Sequence, residues 1–333
     1  MHLTSSDNDY KTGIPITQGI TINGNGFTVS GNDISRIFNI SGSNVIIKNL
    51  NFIDGSSDVY GGAIYWNGND GLLDNCTFEG NSITGSVGGQ SNGGAIYVNA
   101  GNVKIINSVF ANNSLSKYSA GAIYMMKGSS SILIENCTFK NNTAMYGGAL
   151  DIGPSVVVNN CTFVENNAIQ TNDQSGGAIW TSPLSSGSIL INGSKFIGNH
   201  AAGSGGAIGG ACGSTIANSY FENNSAAKSA GAVIIRINNK FWTIENSTFL
   251  NNTAKNGGAV FIDGNGQMTS IIKQSEFINN TALELGGAIY YDSNSQRNII
   301  SDNVSFINNF AKQGGAIYYY WFSSILSQIM LSL

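Results

Sequence analysis

Four residues, Gly-Gly-Ala-Ile, return throughout this chain and constrain its fold more than any other feature. They stand at Gly61-Gly62-Ala63-Ile64, Gly93-Gly94-Ala95-Ile96, Gly176-Gly177-Ala178-Ile179, Gly205-Gly206-Ala207-Ile208, Gly286-Gly287-Ala288-Ile289 and Gly314-Gly315-Ala316-Ile317. Variants stand at Ala120-Gly121-Ala122-Ile123, Gly147-Gly148-Ala149-Leu150, Ala230-Gly231-Ala232-Val233 and Gly257-Gly258-Ala259-Val260. The step between second glycines is about 25 to 32 residues. A fixed period in that range means stacked units, each unable to bury its apolar face alone.

A second anchor sets the length of the unit. Phe-x-x-Asn recurs at Phe78/Asn81, Phe110/Asn113, Phe139/Asn142, Phe163/Asn166 and Phe196/Asn199, then at Phe221/Asn224, Phe249/Asn252, Phe277/Asn280 and Phe306/Asn309. Between the anchors lie short β-branched runs bounded by Gly, Asn and Ser, which read as strands. No apolar face of period 3.6 survives the glycines, so a helix fails. The spacing therefore predicts an all-β parallel β-helix of about 10–12 coils, three short strands per coil. At about 4.8 Å per coil it makes a rod roughly 50 Å long.

In the unit from Ser131 to Ile152, strict alternation points Ile132 and Ile134 inward but would turn Phe139 outward. A corner at Glu135-Asn136 removes the conflict, since Asn tolerates positive φ. The same place holds Asn75, Asn107, Asn160, Asn218, Asn246 and Asn303, so a ladder of stacked amides is expected there. Beyond the corner, one inward column reads Cys76, Ser108, Cys137, Cys161, Ser194, Ser219, Ser247, Ser275, Val304, and the next is all Phe. In Gly148-Ala149-Leu150-Asp151-Ile152, alternation places Gly148, Leu150 and Ile152 inward, Ala149 and Asp151 outward.

The position after each motif Ile then faces out. It holds Tyr65, Tyr97, Tyr124, Asp151, Trp180, Gly209, Ile234, Phe261, Tyr290 and Tyr318. Aromatics suit strands and stack in parallel ladders, which is one reading. The other is a binding stripe for sugar rings or a partner protein, bordered by a groove over the alanines. The candidate ligand-binding residues are Tyr65, Tyr97, Tyr124, Trp180, Phe261, Tyr290 and Tyr318.

The two anchors resemble the repeats of chlamydial polymorphic outer-membrane proteins. They are also similar to those of adhesin-like surface proteins of methanogenic archaea, to which Ile20-Thr21-Ile22-Asn23-Gly24-Asn25-Gly26 and Ser35-Arg36-Ile37-Phe38-Asn39-Ile40 look closer. The resemblance covers roughly residues 19–319. It implies a right-handed, pectin-lyase-like β-helix at the cell surface or outside the cell, acting in adhesion towards glycans or partner proteins.

The chain divides into a loose N-terminal segment (1–18), the repeat domain (19–319) and an apolar tail (320–333). The tail reads as an interrupted coil or, alternatively, a hydrophobic anchor, and no run reaches a membrane-spanning length. Met1 to Asp7 shows no signal peptide, which suggests either a cytoplasmic chain or one lacking its true start. Only 10% of residues are charged and the net charge is −4. That leaves no basic footprint for nucleic acid.

The same fold can carry polysaccharide lyases and hydrolases, so an enzyme is the rival reading. Those chemistries need converging acids and bases. Asp151 and Asp263 stand without a partner column, Arg36, Arg236 and Arg297 are far apart, and His2 and His200 are single, His200 in a turn. No catalytic constellation follows. Neither cofactor nor metal is expected, since no Cys/His spacing fits zinc and Asp7 with Asp9 is a poor calcium site. Cys137 and Cys161 lie on successive coils, close enough for a disulfide. Like-oriented parallel side chains favour buried thiols instead. About a dozen Asn-x-Ser/Thr sequons occur, many at the corner, and exposed ones are acceptors if the host glycosylates.

Overall fold

The computed structural model describes residues 12–85, 91–126, 129–153, 155–172, 175–181, 188–210, 213–236, 241–263, 270–292 and 298–320. Every described strand pairs in parallel with its equivalents in the adjoining coils. Sheet I has twelve strands, from Ile14–Ile16 to Ile317–Tyr319, and contains the motif isoleucines. Sheet II has eleven, from Thr21–Asn23 to Asn298–Ser301. Sheet III has eleven, from Thr28–Ser30 to Ser305–Ile307, and contains the phenylalanines. The eleven strands fall within the expected coil number. A fourth ladder adds to the expected three: sheet IV is nine mostly two-residue strands, from Ser56–Ser57 to Thr281–Leu285. The first strand of sheet I, Ile14–Ile16, pairs with Phe38–Ile40, inside the segment expected to be loose.

Three left-handed corners close each coil. In the worked unit they are Asn136 (φ 53°), Asn141 (φ 54°) and Gly147 (φ 57°). The predicted corner asparagines all have positive φ, and several amides donate across coils: Asn75 to Asn49 at 2.7 Å, Asn136 to Asn107 at 3.2 Å and Asn246 to Asn218 at 2.7 Å. This ladder is exposed. A second, buried one is formed by the Asn of Phe-x-x-Asn. Asn142 donates from N and Nδ2 to Oδ1 of Asn166 at 3.1 and 2.9 Å, and from Nδ2 to the Phe110 carbonyl at 2.9 Å. Its own Oδ1 accepts from N and Nδ2 of Asn113, both at 3.0 Å. Both amide hydrogens and both lone pairs are therefore used, as a buried amide requires.

The core is built of columns. From Phe52 to Phe306 successive rings stack with centroids 4.5 to 5.2 Å apart and planes within 15°. Each such contact adds about 0.5–1.5 kcal/mol beyond its buried area. One expectation fails here. The motif alanines do not border the outer face; Ala149 and its equivalents from Ala63 to Ala288 are fully buried in the main core with Leu150 and Ile152, and only Ala316 in the last coil is half-buried. The reason is local: Gly147-Gly148-Ala149 is a bend and the strand begins only at Leu150, so alternation does not extend back to the alanine.

The Cys/Ser column is buried as expected, and Cys76, Cys137 and Cys161 are free thiols. Serines in this column bond locally, as when Ser194 Oγ donates to the Asn192 carbonyl at 3.1 Å. Burial pushes the Cys76 thiol up to about 11, and the hydrogen bond to Cys137 together with burial pushes Cys161 well up. Native protein at pH 8 should therefore leave Cys76 and Cys161 unalkylated by iodoacetamide, read by peptide mass mapping, and label them only after urea. Labelling in the native state would show that the column opens. Cys212 lies outside the described residues.

Candidate binding face

The outer face of sheet I brings the sequence-predicted residues into one register. Tyr65, Tyr97 and Tyr124 pair successively, Tyr124 pairs with Asp151, Asp151 with Trp180 and Trp180 with Gly209. Further along, Ile234, Phe261, Tyr290 and Tyr318 pair in turn. The aromatic stacking splits into two runs. Tyr65, Tyr97 and Tyr124 have centroids 5.6 and 5.0 Å apart, and Phe261, Tyr290 and Tyr318 have centroids 5.0 and 5.7 Å apart.

The column faces out but is not an open stripe. Tyr97, Trp180, Phe261 and Tyr290 are buried, while Tyr65, Tyr124 and Tyr318 are half-buried. What covers them is the chain just ahead of each Gly-Gly motif. A Cβ on Gly147 would lie 3.0 Å from Cβ of Trp180 in the next coil, and one on Gly209 would lie 2.9 Å from Cα of Gly176. Successive roof segments are bonded to one another: the Ser119 amide donates to Asn92 Oδ1 at 3.0 Å, Ala120 N to the Tyr146 carbonyl at 2.9 Å, and Gly147 N to the Ser175 carbonyl at 2.9 Å. The roof contributes aromatic rings of its own. Tyr60 lies 5.5 Å from Tyr65 and 4.4 Å from Tyr97, and Tyr146 lies 5.6 Å from Trp180. Tyr60, Tyr118 and Tyr146 lie outside the named strands, so strand periodicity does not point to them. The available signal was their place one or two residues ahead of a left-handed Gly or Ala.

Arg36 fixes the start of the roof. It is buried and donates from Nε to the Tyr60 and Gly61 carbonyls, both at 3.0 Å, from Nη1 to Thr12 O at 2.9 Å, and from Nη2 to Ser57 Oγ at 2.7 Å. Its guanidinium also stands 5.7 Å from the Tyr65 ring centre, a cation–π distance. Burial lowers its pKa to about 10.

Midway along the face, the roof leaves a recess of about 360 Å³ above Asp151. Tyr118, Tyr124, Tyr146 and Trp180 wall it, with Asn92 and Asn172 at its polar side. Tyr146 Oη accepts from Gln170 Nε2 at 3.1 Å and from Asn172 Nδ2 at 2.9 Å. Burial, with the Asp151 charge adding to it, pushes the Tyr124 phenol up to about 12, so it is a neutral hydroxyl at physiological pH.

The residues weighed for catalysis separate into other places. Asp263 does have coil neighbours, contrary to expectation: it pairs with Arg236 and with Asp292, and Arg236 Nε lies 3.7 Å from Asp263 Oδ2. His200 sits in a two-residue strand of sheet IV rather than a turn, exposed, with Nδ1 2.9 Å from Ser225 Oγ. A polar groove of about 780 Å³ follows the exposed asparagine corner and contains Glu245 and Glu276. Lys273 Nζ bonds Glu245 at 2.7 Å. Among the described residues no group of three or more His, Cys, Asp or Glu is placed to hold a metal ion. Also among them, no helix is long and apolar enough to cross a membrane. His2, Asp7, Asp9, Arg297 and the tail at 321–333 lie outside the described residues.

Residues 18–203 match the family model of the right-handed β-helix region, which covers more than half of the chain. Residues 246–263, 274–292 and 303–320 match the Chlamydia polymorphic membrane protein repeat. The two matches meet the same columns from opposite ends of the rod, and the repeats point to outer-membrane or surface proteins. Searches of curated proteins and of solved structures give no match. On the stacked parallel sheets and the family match together, the chain belongs to the right-handed β-helix family, with polymorphic membrane protein repeats in its C-terminal coils.

Proposed function

We propose that this chain is a non-enzymatic, adhesin-like module of a cell-surface or extracellular protein, in which the solenoid provides reach and the outer face of sheet I provides attachment to glycans or partner proteins. The observation that carries this is the in-register aromatic column, roofed in part but accessible at Tyr65, Tyr124 and Tyr318. Half-exposed aromatic rings on a rigid sheet offer stacking surface at low entropic cost. The repeat match supports surface display. Attachment to a membrane is then a task for an anchor outside the described coils, and a net charge of −4 gives no basic footprint for nucleic acid.

Tyr65→Ala combined with Tyr318→Ala tests the attachment role while leaving the central recess intact. Binding to a glycan array and to whole cells should fall about tenfold, as the loss of two stacking rings implies. Unchanged binding removes the column as the attachment site.

The groove with Glu245 and Glu276 favours a second reading, a polysaccharide-processing enzyme. Reducing-end and unsaturated-product assays on acidic and neutral polysaccharides distinguish it, because an adhesin gives binding without turnover. Activity abolished by Glu276→Gln would establish the enzyme instead.

A further inference from the structure

The recess above Asp151 has a composition that stacking alone does not account for. Every other described position of the outward column from Tyr65 to Tyr318 holds an aromatic, an aliphatic or a glycine; Asp151 alone places a carboxylate there, and it is 5% exposed. Around it stand four aromatic side chains: Tyr124 and Trp180 from the flanking coils of sheet I, and Tyr118 and Tyr146 from the roof. The roof rings are held in place, Tyr146 by two amides on its hydroxyl and Tyr118 by packing against Ile83, Leu115 and Ala144. The site is built before anything enters it. Its volume of about 360 Å³ is that of a small organic group.

Aromatic faces carry negative quadrupole charge, and a cation over them is attracted more strongly the less water surrounds it. A carboxylate at the floor, in register with Tyr124 and Trp180, is of the opposite sign to a cation held there. A primary ammonium would need three acceptors to replace its water, because it is strongly hydrated. Of the acceptors at the recess, Asn92 Oδ1 already takes the Ser119 amide and Tyr146 Oη takes two side-chain amides, so a methylated ammonium, which donates no hydrogen bonds, fits better.

We propose that this recess binds a quaternary ammonium group, with Asp151 as counter-charge and Tyr118, Tyr124, Tyr146 and Trp180 as the walls. This deepens the reading of sheet I as an attachment face by naming the chemistry of one ligand class, and it rests on that reading. The group can arrive as a free choline-like molecule or as a trimethyl-lysine side chain on a protein, and the experiment separates them.

Isothermal titration calorimetry of the whole chain uses three probes: choline, its neutral carbon isostere 3,3-dimethylbutan-1-ol, and a short peptide with one trimethyl-lysine. Choline should bind at least tenfold more tightly than the isostere. Asp151→Asn should cut choline affinity about tenfold and Trp180→Leu by a similar factor, with the isostere little changed by Asp151→Asn. If the peptide binds more tightly than choline, the source is a protein; if less, a small molecule. Equal affinity for choline and the isostere, or no binding of either, overturns the proposal. That comparison uses the wild-type chain, so it stands even if Asp151→Asn does not fold. Choline failing while Tyr65→Ala/Tyr318→Ala still abolishes surface attachment sinks the cation site alone. The reverse pair of results sinks the attachment role alone.

Discussion

Gly177→Ala should prevent the coils around it from stacking. A Cβ at Gly177 would run into the carbonyl oxygen of Gly206 in the next coil and lie 2.6 Å from that of His200. Neither obstacle is a flexible side chain, so relief requires moving one coil's backbone away from the next. That breaks the bonds that close sheet I there, including Gly177 N to Gly205 O at 2.9 Å and Ala178 N to Ala207 O at 2.9 Å. Overpacking of a tight interior costs about 1–3 kcal/mol, and rigid backbone obstacles put this site at or above the upper end. Because a solenoid is held by nearest-neighbour interfaces, the damage should be local at first. Hydrogen exchange should show lost protection in coils from Ala149 to Val233, with less effect at either end. Wild-type protection throughout would show that the close approach is not required. Gly176→Ala tests the other glycine, whose φ of 64° strains any L side chain by about 1–2 kcal/mol. The chain itself tolerates Ala120 and Ala230 at that position, with φ of 69° and 60°, and no natural variant of the second glycine occurs among the ten motifs.

Removing one rung of the buried asparagine ladder should be comparably severe. Asn166→Ala leaves the N and Nδ2 groups of Asn142 without their acceptor and the Phe139 carbonyl without its 3.0 Å donor. Each buried group left unpaired costs about 1–3 kcal/mol, so the three together give a loss of about 3–9 kcal/mol. Asn166→Asp is the sharper test. It keeps the acceptor for Asn142 but turns a lone pair towards the Phe139 carbonyl and towards Asn199 Oδ1, where an N–H stood. Burial and the facing oxygens raise the folded-state pKa of such an Asp above its unfolded value. The sign follows: relative to wild type, the variant is best tolerated below the unfolded pKa, near pH 3. It loses stability as pH rises through the raised folded pKa. Urea midpoints for both proteins at pH 3 and pH 7 measure it. A deficit equal at the two pH values would show that the side chain had turned out of the ladder.

Much of the architecture was legible because a solenoid repeats its physics in one dimension. The period of Gly-Gly-Ala-Ile forces like residues into register, and Phe78 over Phe110 over Phe139 follows from counting. The corner at Asn136 was legible too, since alternation cannot put both Ile134 and Phe139 inside without a break there. The buried role of Asn142 was not, although its motif was recognised. An Asn three residues after an inward Phe could equally face solvent; its three partner residues, Phe110, Asn113 and Asn166, come from coils before and after it, 24 to 32 residues away.

The candidate face divides in the same way. The sequence by itself determined which residues share a column: Tyr65, Tyr97, Tyr124, Asp151, Trp180 and the rest follow from position within the repeat, because side-chain direction in a strand has period two. Only the tertiary structure decided what lies over that column. The segment ahead of each Gly-Gly folds back across the outward side of the next coil, and no strand periodicity reports the path of a chain between strands. Gly147 reaching Trp180 and Tyr60 stacking on Tyr97 are contacts between coils, set by left-handed turns and by backbone approach. That covering makes an open aromatic stripe into a walled face with a recess midway along it, and it places Asp151 at the floor.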